Sequence, residues 1–141
     1  MSSLPGAVLF ACSMNAVRSP MASGLFKSMV QNKVYVKSAG VRPGSADHFA
    51  IEVMNEIGID ISAHVPRAIV DLQDTSFDFI ITLTPEAHHQ ALEFTRTMAV
   101  EVEYWPTLDP SLTTGSRDQI LSAYRSCRDS LAQKIAARFP V

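Results

Sequence analysis

Between Ala7 and Ala22 the chain passes from an apolar strand into a helix through one short loop, and that transition sets the class of fold. Val8-Leu9-Phe10-Ala11 is apolar at every position rather than at alternate ones, the pattern of a strand covered on both faces in a parallel sheet. Ser19 is placed to cap the helix that follows, and Pro20 suits its first position, where the missing N–H costs nothing. Met21, Ala22, Leu25, Phe26 and Met29 then make one apolar helix face.

The remainder alternates in the same way. Val34–Ala39 is rich in β-branched residues and ends at Gly40. Asp47 is placed to cap a helix with Ala50, Ile51, Met54 and Ile57 on one face, and Gly58 to end it. A third strand is expected over Phe77–Leu83, followed by a helix capped at Thr84, begun by Pro85 and carrying Ala87, Ala91, Leu92 and Phe94. Val100–Tyr104 alternates, as an edge strand does. Ser116 with Gln119 reads as a capping box for a last helix, whose stripe is Ile120, Tyr124, Cys127, Leu131 and Ile135. These elements predict a single α/β domain over residues 1–141, an open four-stranded parallel sheet with helices on both faces. The 141 residues, 47% of them hydrophobic, suffice for one core. Ligands of such sheets bind at the carboxyl ends of the strands, where Cys12, Gly40, Thr84 and the loop holding Asp109 all fall.

The first of these loops carries the chemistry. It opens with the Cys12 thiol and closes with the Arg18 guanidinium. A strand-to-helix loop aims backbone N–H groups and the positive end of a helix dipole at one point, which favours a thiolate held there. Arg18 can grip two oxygens of a tetrahedral oxyanion with its planar fork. Asn15 is among the few residue types that tolerate a left-handed backbone, so the loop can curl around an anion. The alternative is a cysteine buried as a small hydrophobe at a strand end, but that reading leaves Arg18, Ser19 and Pro20 without a role. Ser13, Met14, Asn15, Ala16, Val17 and Ser19 are therefore the expected substrate-binding residues.

Cys12-x5-Arg18-Ser19-Pro20-Met21-Ala22 resembles the phosphate-binding signature of the low-molecular-weight protein tyrosine phosphatases and of the arsenate reductases built on the same scaffold. Ser38-Ala39-Gly40 is similar to that family's second-strand exit, and Asp109-Pro110 to its late Asp-Pro, so the resemblance covers nearly the whole chain. It implies phosphate monoester hydrolysis through a phosphocysteine, with protein phosphotyrosine as the expected substrate. Cys12 would be the nucleophile, Arg18 would hold the equatorial oxygens, and Asp109 would be the general acid and then the base. Ser19 would hydrogen-bond the sulfur, Asn15 would brace the loop, and no cofactor or metal is called for. Spacing alone would make Asp109-Pro110 a plain turn; its place after the fourth strand together with the family resemblance favours the acid role.

The chain departs from the family at several points. Met14 stands where the phosphatases usually carry Gly, and Val17 where they carry a second Cys. Ser111 and Leu112 replace the aromatic residues that flank a phosphotyrosine ring, which leaves His48 and Phe49 as the rings nearest the site, with Phe49 equally suited to helix packing. The segment Glu56–Ser62 and His64 are closer to the arsenate reductase branch. Thioredoxin-linked reductases, however, need a cysteine just after the third strand, where this chain has Thr84, and often carry Gln where Pro20 stands. A single-cysteine reductase using an external thiol is the alternative, and a non-catalytic phosphate-binding module is the third.

Composition narrows the partners. A net charge of −2 makes no electrostatic case for nucleic acid, and no apolar run approaches the ~20 residues of a membrane span. The expected partners are a phosphorylated protein or small aryl phosphate, with phosphate or a similar oxyanion in the loop, and the expected location is the cytoplasm. Adjacent His88 and His89 face different directions and make a poor metal pair. They and His64 read as surface or packing residues, and Trp105 as core.

Overall fold

The computed structural model describes residues 4–73 and 76–140. Four parallel strands, β1 (Ala7–Cys12), β2 (Tyr35–Gly40), β3 (Phe79–Thr82) and β4 (Glu101–Tyr104), lie in the order β2-β1-β3-β4. The single domain, its parallel sheet and the edge position of β4 agree with the sequence reading. β3 and β4 are shorter than expected by three residues and one, β1 extends one residue beyond Val8–Ala11 at either end, and β2 is shifted by one to run through Gly40, which pairs with Cys12.

Four helices cover the two faces: α1 (Arg18–Val30), α2 (His48–Asn55), α3 (Pro85–Leu92) and α4 (Arg117–Arg138). Two apolar cores result, one on each side of β1. Val8, Phe10 and Cys12 point with Ile81 toward α1, α2 and α4. Leu9, Ala11, Ala39 and Ile80 point toward α3 and the Ile69–Asp71 turn. That two-sided burial is why β1 shows no alternation. Trp105 packs edge-on against Phe10 in the first core.

The caps follow the sequence at three of four helices. Asp47 accepts from the Ala50 amide, Thr84 from Ala87, and Ser116 with Gln119 closes a reciprocal capping box. Helix α1 is the exception. It begins at Arg18 with Val17 at the cap position and no side-chain cap. Ser19 therefore lies inside the first turn, completely buried, and its hydroxyl serves the loop instead. Pro20 then falls third in the helix, still among the turn whose N–H groups have no intrahelical partner.

Two apolar stripes also differ. In α2 the buried residues are Ala50, Val53 and Met54, while Ile57 lies beyond the helix and is exposed. Beyond α2 the chain reverses at Gly58, whose φ of +79° needs a glycine. Helix α3 buries Ala87 and Ala91 but leaves Leu92 outside, and Phe94 belongs to a separate 3-10 turn, Glu93–Arg96.

Candidate functional site

The carboxyl ends of the strands bring the expected residues to one place. Cys12, Met14, Ala16, Val17, Arg18, Gly44, Ser45, Asp109 and Ser111 line a cavity of about 200 Å³. Cys12 is 2% exposed, but its sulfur is not simply lost in the core: it opens on that cavity and sits 2.9 Å from the Ser19 hydroxyl. The arrangement can place a thiolate, a guanidinium and a carboxylate around one tetrahedral ion.

Asn15 holds the loop's shape. It takes φ +53° and is fully buried, so its side chain and carbonyl are committed inside the protein. Its amide nitrogen donates to the Ser19 hydroxyl at 2.9 Å and to the Ser38 hydroxyl at 3.0 Å. Its amide oxygen accepts from the Arg67 backbone N–H at 3.0 Å. Three separate stretches of chain thus meet at one side chain. The bond from Asn15 occupies one lone pair of the Ser19 oxygen, whose proton can turn to the Cys12 sulfur at 2.9 Å or to the Ala39 carbonyl at 3.4 Å.

The second half of the clamp comes from the segment after β2. Val41, Arg42 and Gly44 donate backbone N–H groups to the carbonyls of Cys12, Ser13 and Met14, at 3.1, 3.0 and 2.8 Å. A Cβ at Gly40 would lie 2.8 Å from both the Asn15 nitrogen and the Ser13 oxygen, so only glycine lets β2 run this close behind the loop. Ser13 reaches across to Thr84, hydroxyl to hydroxyl, at 3.2 Å.

Arg18 joins this loop to the one after β4. One guanidinium nitrogen donates to the Thr107 carbonyl at 2.9 Å, and another lies 3.6 Å from the Asp109 carboxylate. Asp109 caps the 3-10 turn Pro110–Leu112 by accepting from the Ser111 amide, and it accepts the Ser111 hydroxyl as well, at 2.6 Å. The turn chemistry and the place beside Arg18 are therefore both present.

His64 departs from the sequence reading, and the structure decides between the two readings of Phe49. His64 is not a plain surface or packing residue: its Nε2 lies 2.9 Å from the Asn15 carbonyl, so it is a strut of the loop. Burial, ahead of the charges of Arg67 and Lys27, lowers its pKa, and the bond to Asn15 opposes that shift; the neutral ring with Nε2–H donating fits both. Nothing in the local sequence marks His64, because its partner lies far away along the chain. Phe49 packs on Tyr124 at 5.5 Å between ring centroids and is not a wall of the cavity. His48 is exposed and does not line it either.

Cys127 keeps to the core, its pKa pushed up to about 11, chiefly by burial. His88 bonds Thr82 through Nδ1 and stacks on Tyr104, a packing role in keeping with the sequence.

The family model of low molecular weight phosphotyrosine protein phosphatases matches residues 7–138. A curated relative, the arsenate reductase of Shouchella clausii, is 32% identical over 130 residues, 91% of either chain. A low molecular weight protein tyrosine phosphatase from T. tengcongensis superposes with a TM-score of 0.75 at 26% identity, covering 92% of this chain and 95% of that one. An arsenate reductase in its phosphate-binding state gives a TM-score of 0.74 at 27% identity, over 94% and 95%.

Proposed function

The chain belongs to the low molecular weight phosphotyrosine protein phosphatase family, an enzyme of the class that holds these phosphatases and the arsenate reductases, and from that premise we propose that it hydrolyses phosphate monoesters, protein phosphotyrosine foremost, through a phosphocysteine at Cys12. The observation that carries the reading is the meeting of Cys12, Arg18 and Asp109 on one cavity.

The Cys12 thiolate attacks phosphorus in line while Arg18 and the amides of Ser13 to Arg18 hold the equatorial oxygens. The P–O bond to the organic group breaks, and Asp109 gives its proton to the departing oxygen. Water then attacks the phosphocysteine, Asp109 takes a proton from it, and sulfur leaves as thiolate toward the Ser19 hydroxyl. Inorganic phosphate is released and the enzyme is restored without a redox step. Charge development is met by dipoles and a guanidinium already in place.

The thiol inventory favours this over a cysteine relay. Thr84 follows β3, and the other cysteine of the chain, Cys127, is buried beneath the Asp109 loop, 4.0 Å from the Leu108 carbonyl. Among the described residues no helix is long and apolar enough to cross a membrane. We place the reaction in the cytoplasm, whose reducing conditions keep such a thiol usable.

The 32%-identical arsenate reductase supports one other reading. Arsenate would condense with Cys12 and lose water, and an external thiol would supply two electrons, releasing arsenite and leaving a mixed disulfide for a second thiol to clear. Paired assays decide between them. Wild type is expected to release p-nitrophenol from its phosphate ester, and Cys12→Ser is not. Thiol-dependent arsenite formation without esterase activity would move the assignment to the reductase.

A further inference from the structure

Most of the chain's basic side chains already have a carboxylate. Of twelve lysines and arginines, Arg18, Arg42, Arg96, Arg117, Arg125, Arg128 and Arg138 are ion-paired among the described residues. Three of the remaining five, Lys27, Lys37 and Arg67, line one cleft of about 600 Å³ on the far side of α1. In a chain whose net charge is −2, that concentration of unneutralised cations is not a consequence of composition.

The cleft exists because of the face that α1 turns to it. Pro20, Ser23, Gly24, Lys27 and Ser28 recur at helical spacing, and all but Lys27 are small. A Cβ at Gly24 would come within 3.0 Å of Ile61 and 3.3 Å of Ile59, so glycine lets the segment after α2 close over the helix. The opposite wall brings Arg67 and His64. Ser23, Ser28 and Ser38 add hydroxyl donors, and Ile59, Ile61 and Val65 add apolar surface. The carboxylate that lines the cleft, Asp60, accepts from the Ser62 amide and pairs with none of the three cations.

The cations also act on one another. Burial first and Lys37 second lower the pKa of Lys27, and Arg67 and Lys27 both bear on His64. A multivalent anion would relieve that repulsion. The cleft shares no lining residue with the Cys12 cavity, yet it reaches the back of the same loop: Ser38 and His64, both in its wall, hold Asn15.

We propose that this cleft is a second anion site, taking a compact polyphosphate of three or more negative charges on Lys27, Lys37 and Arg67. Three cations on one cleft match such a ligand better than a single phosphate, and the cleft's volume is that of a small-molecule site. Through Ser38 and His64 the ligand would stiffen Asn15 and with it the loop. The inference holds whether the Cys12 cavity hydrolyses esters or reduces arsenate.

The test is a titration of the whole protein with inorganic triphosphate, followed by amide NMR at low salt. Saturating shifts are expected at Gly24, Gly58 and Ala63. Lys27→Gln/Lys37→Gln, both on exposed or half-exposed positions, should weaken them at least about tenfold, and any shift at Asn15 transmitted from the cleft should weaken in parallel. Shifts confined to Met14–Val17, or equal affinity in the double variant, would overturn the site. A parallel titration with ATP identifies the source: tighter binding than inorganic triphosphate supports an organic phosphate resting on Ile59 and Ile61, and equal binding supports the inorganic polyanion.

Discussion

The loop from Cys12 to Ser19 and the loop from Thr107 to Thr113 face each other across the cavity, and they are built on opposite principles. The first is fixed from behind. Asn15 is wholly buried, and Ser19, Ser38, His64 and Arg67 all bond it. The second is held by its own turn, by Arg18, by the Thr107 amide on the Leu83 carbonyl and by burial of Pro110. Leu108 and Leu112, on either side of Asp109, are 92% and 78% exposed, and a hollow of about 690 Å³ lies between this loop and α4. Cradling an oxyanion rewards dipoles that need no rearrangement. A proton donor must instead follow leaving groups of different size, which rewards an arm that can shift. The comparison assigns precision to one loop and adaptability to the other.

The most severe way to break it is at the sulfur. Cys12→Ser should reduce turnover of p-nitrophenyl phosphate by at least about 10⁴-fold, since the oxygen cannot replace the nucleophile. Its urea midpoint should stay near that of wild type, because Ser keeps the bond to Ser19. Retained turnover would remove the covalent mechanism.

The adaptable arm is probed through the leaving group. Asp109→Asn should slow phenyl phosphate hydrolysis by about 10²–10⁴-fold and p-nitrophenyl phosphate far less, since a stable phenolate needs little proton donation. Equal losses with both esters would deny Asp109 the acid role. The Ser111 hydroxyl, 2.6 Å from the same carboxylate, sets the local geometry, and Ser111→Ala should change kcat modestly and stability by less than ~0.5 kcal/mol.

The clamp behind the first loop should respond in the other sense. Asn15→Ala removes three side-chain hydrogen bonds at a buried position and leaves the Arg67 amide and two hydroxyls to find other partners. A loss of about 2–4 kcal/mol follows from ~1 kcal/mol per bond, read as a shift in urea midpoint. A stability change as small as that of Ser111→Ala would mean that the two loops are not differently held.

What could be read in the sequence follows the same division. The cradle's front is contiguous: Cys12, Asn15, Arg18 and Ser19 lie within eight residues, and strand-loop-helix geometry brings them together by local rules. Its back is not. Ser38, His64 and Arg67 reach Asn15 from β2 and from a segment without regular structure, where neither periodicity nor cap signals exist to place a side chain. Ser19 departs from the expected cap position for a related reason. As a residue type it favours a cap, but here its hydroxyl has competing partners in Cys12 and Asn15, and the helix starts two residues earlier. The strand order, by contrast, was open to inference in outline, because full burial of β1 and alternation in β4 distinguish a centre from an edge.

The smallest expected effect sharpens the comparison through pH. His64 supports the first loop, and the second has no histidine in it. Burial, with Arg67 and Lys27, sets the folded pKa of His64 below its ordinary value of about 6.5. As pH falls, the unfolded chain therefore binds the proton first. The stability that the neutral ring contributes is complete above about pH 6.5 and is lost as pH drops through the lower folded value. His64→Gln keeps a donor for the Asn15 carbonyl but cannot titrate, so the difference in urea midpoint between wild type and variant should shift in the variant's favour on going from neutral to mildly acidic buffer. The same pair of buffers should leave the difference between wild type and Ser111→Ala unchanged. An identical pH slope in wild type and His64→Gln would show that the strut is insensitive to protonation, and the contrast between the loops would then rest on hydrogen bonds alone.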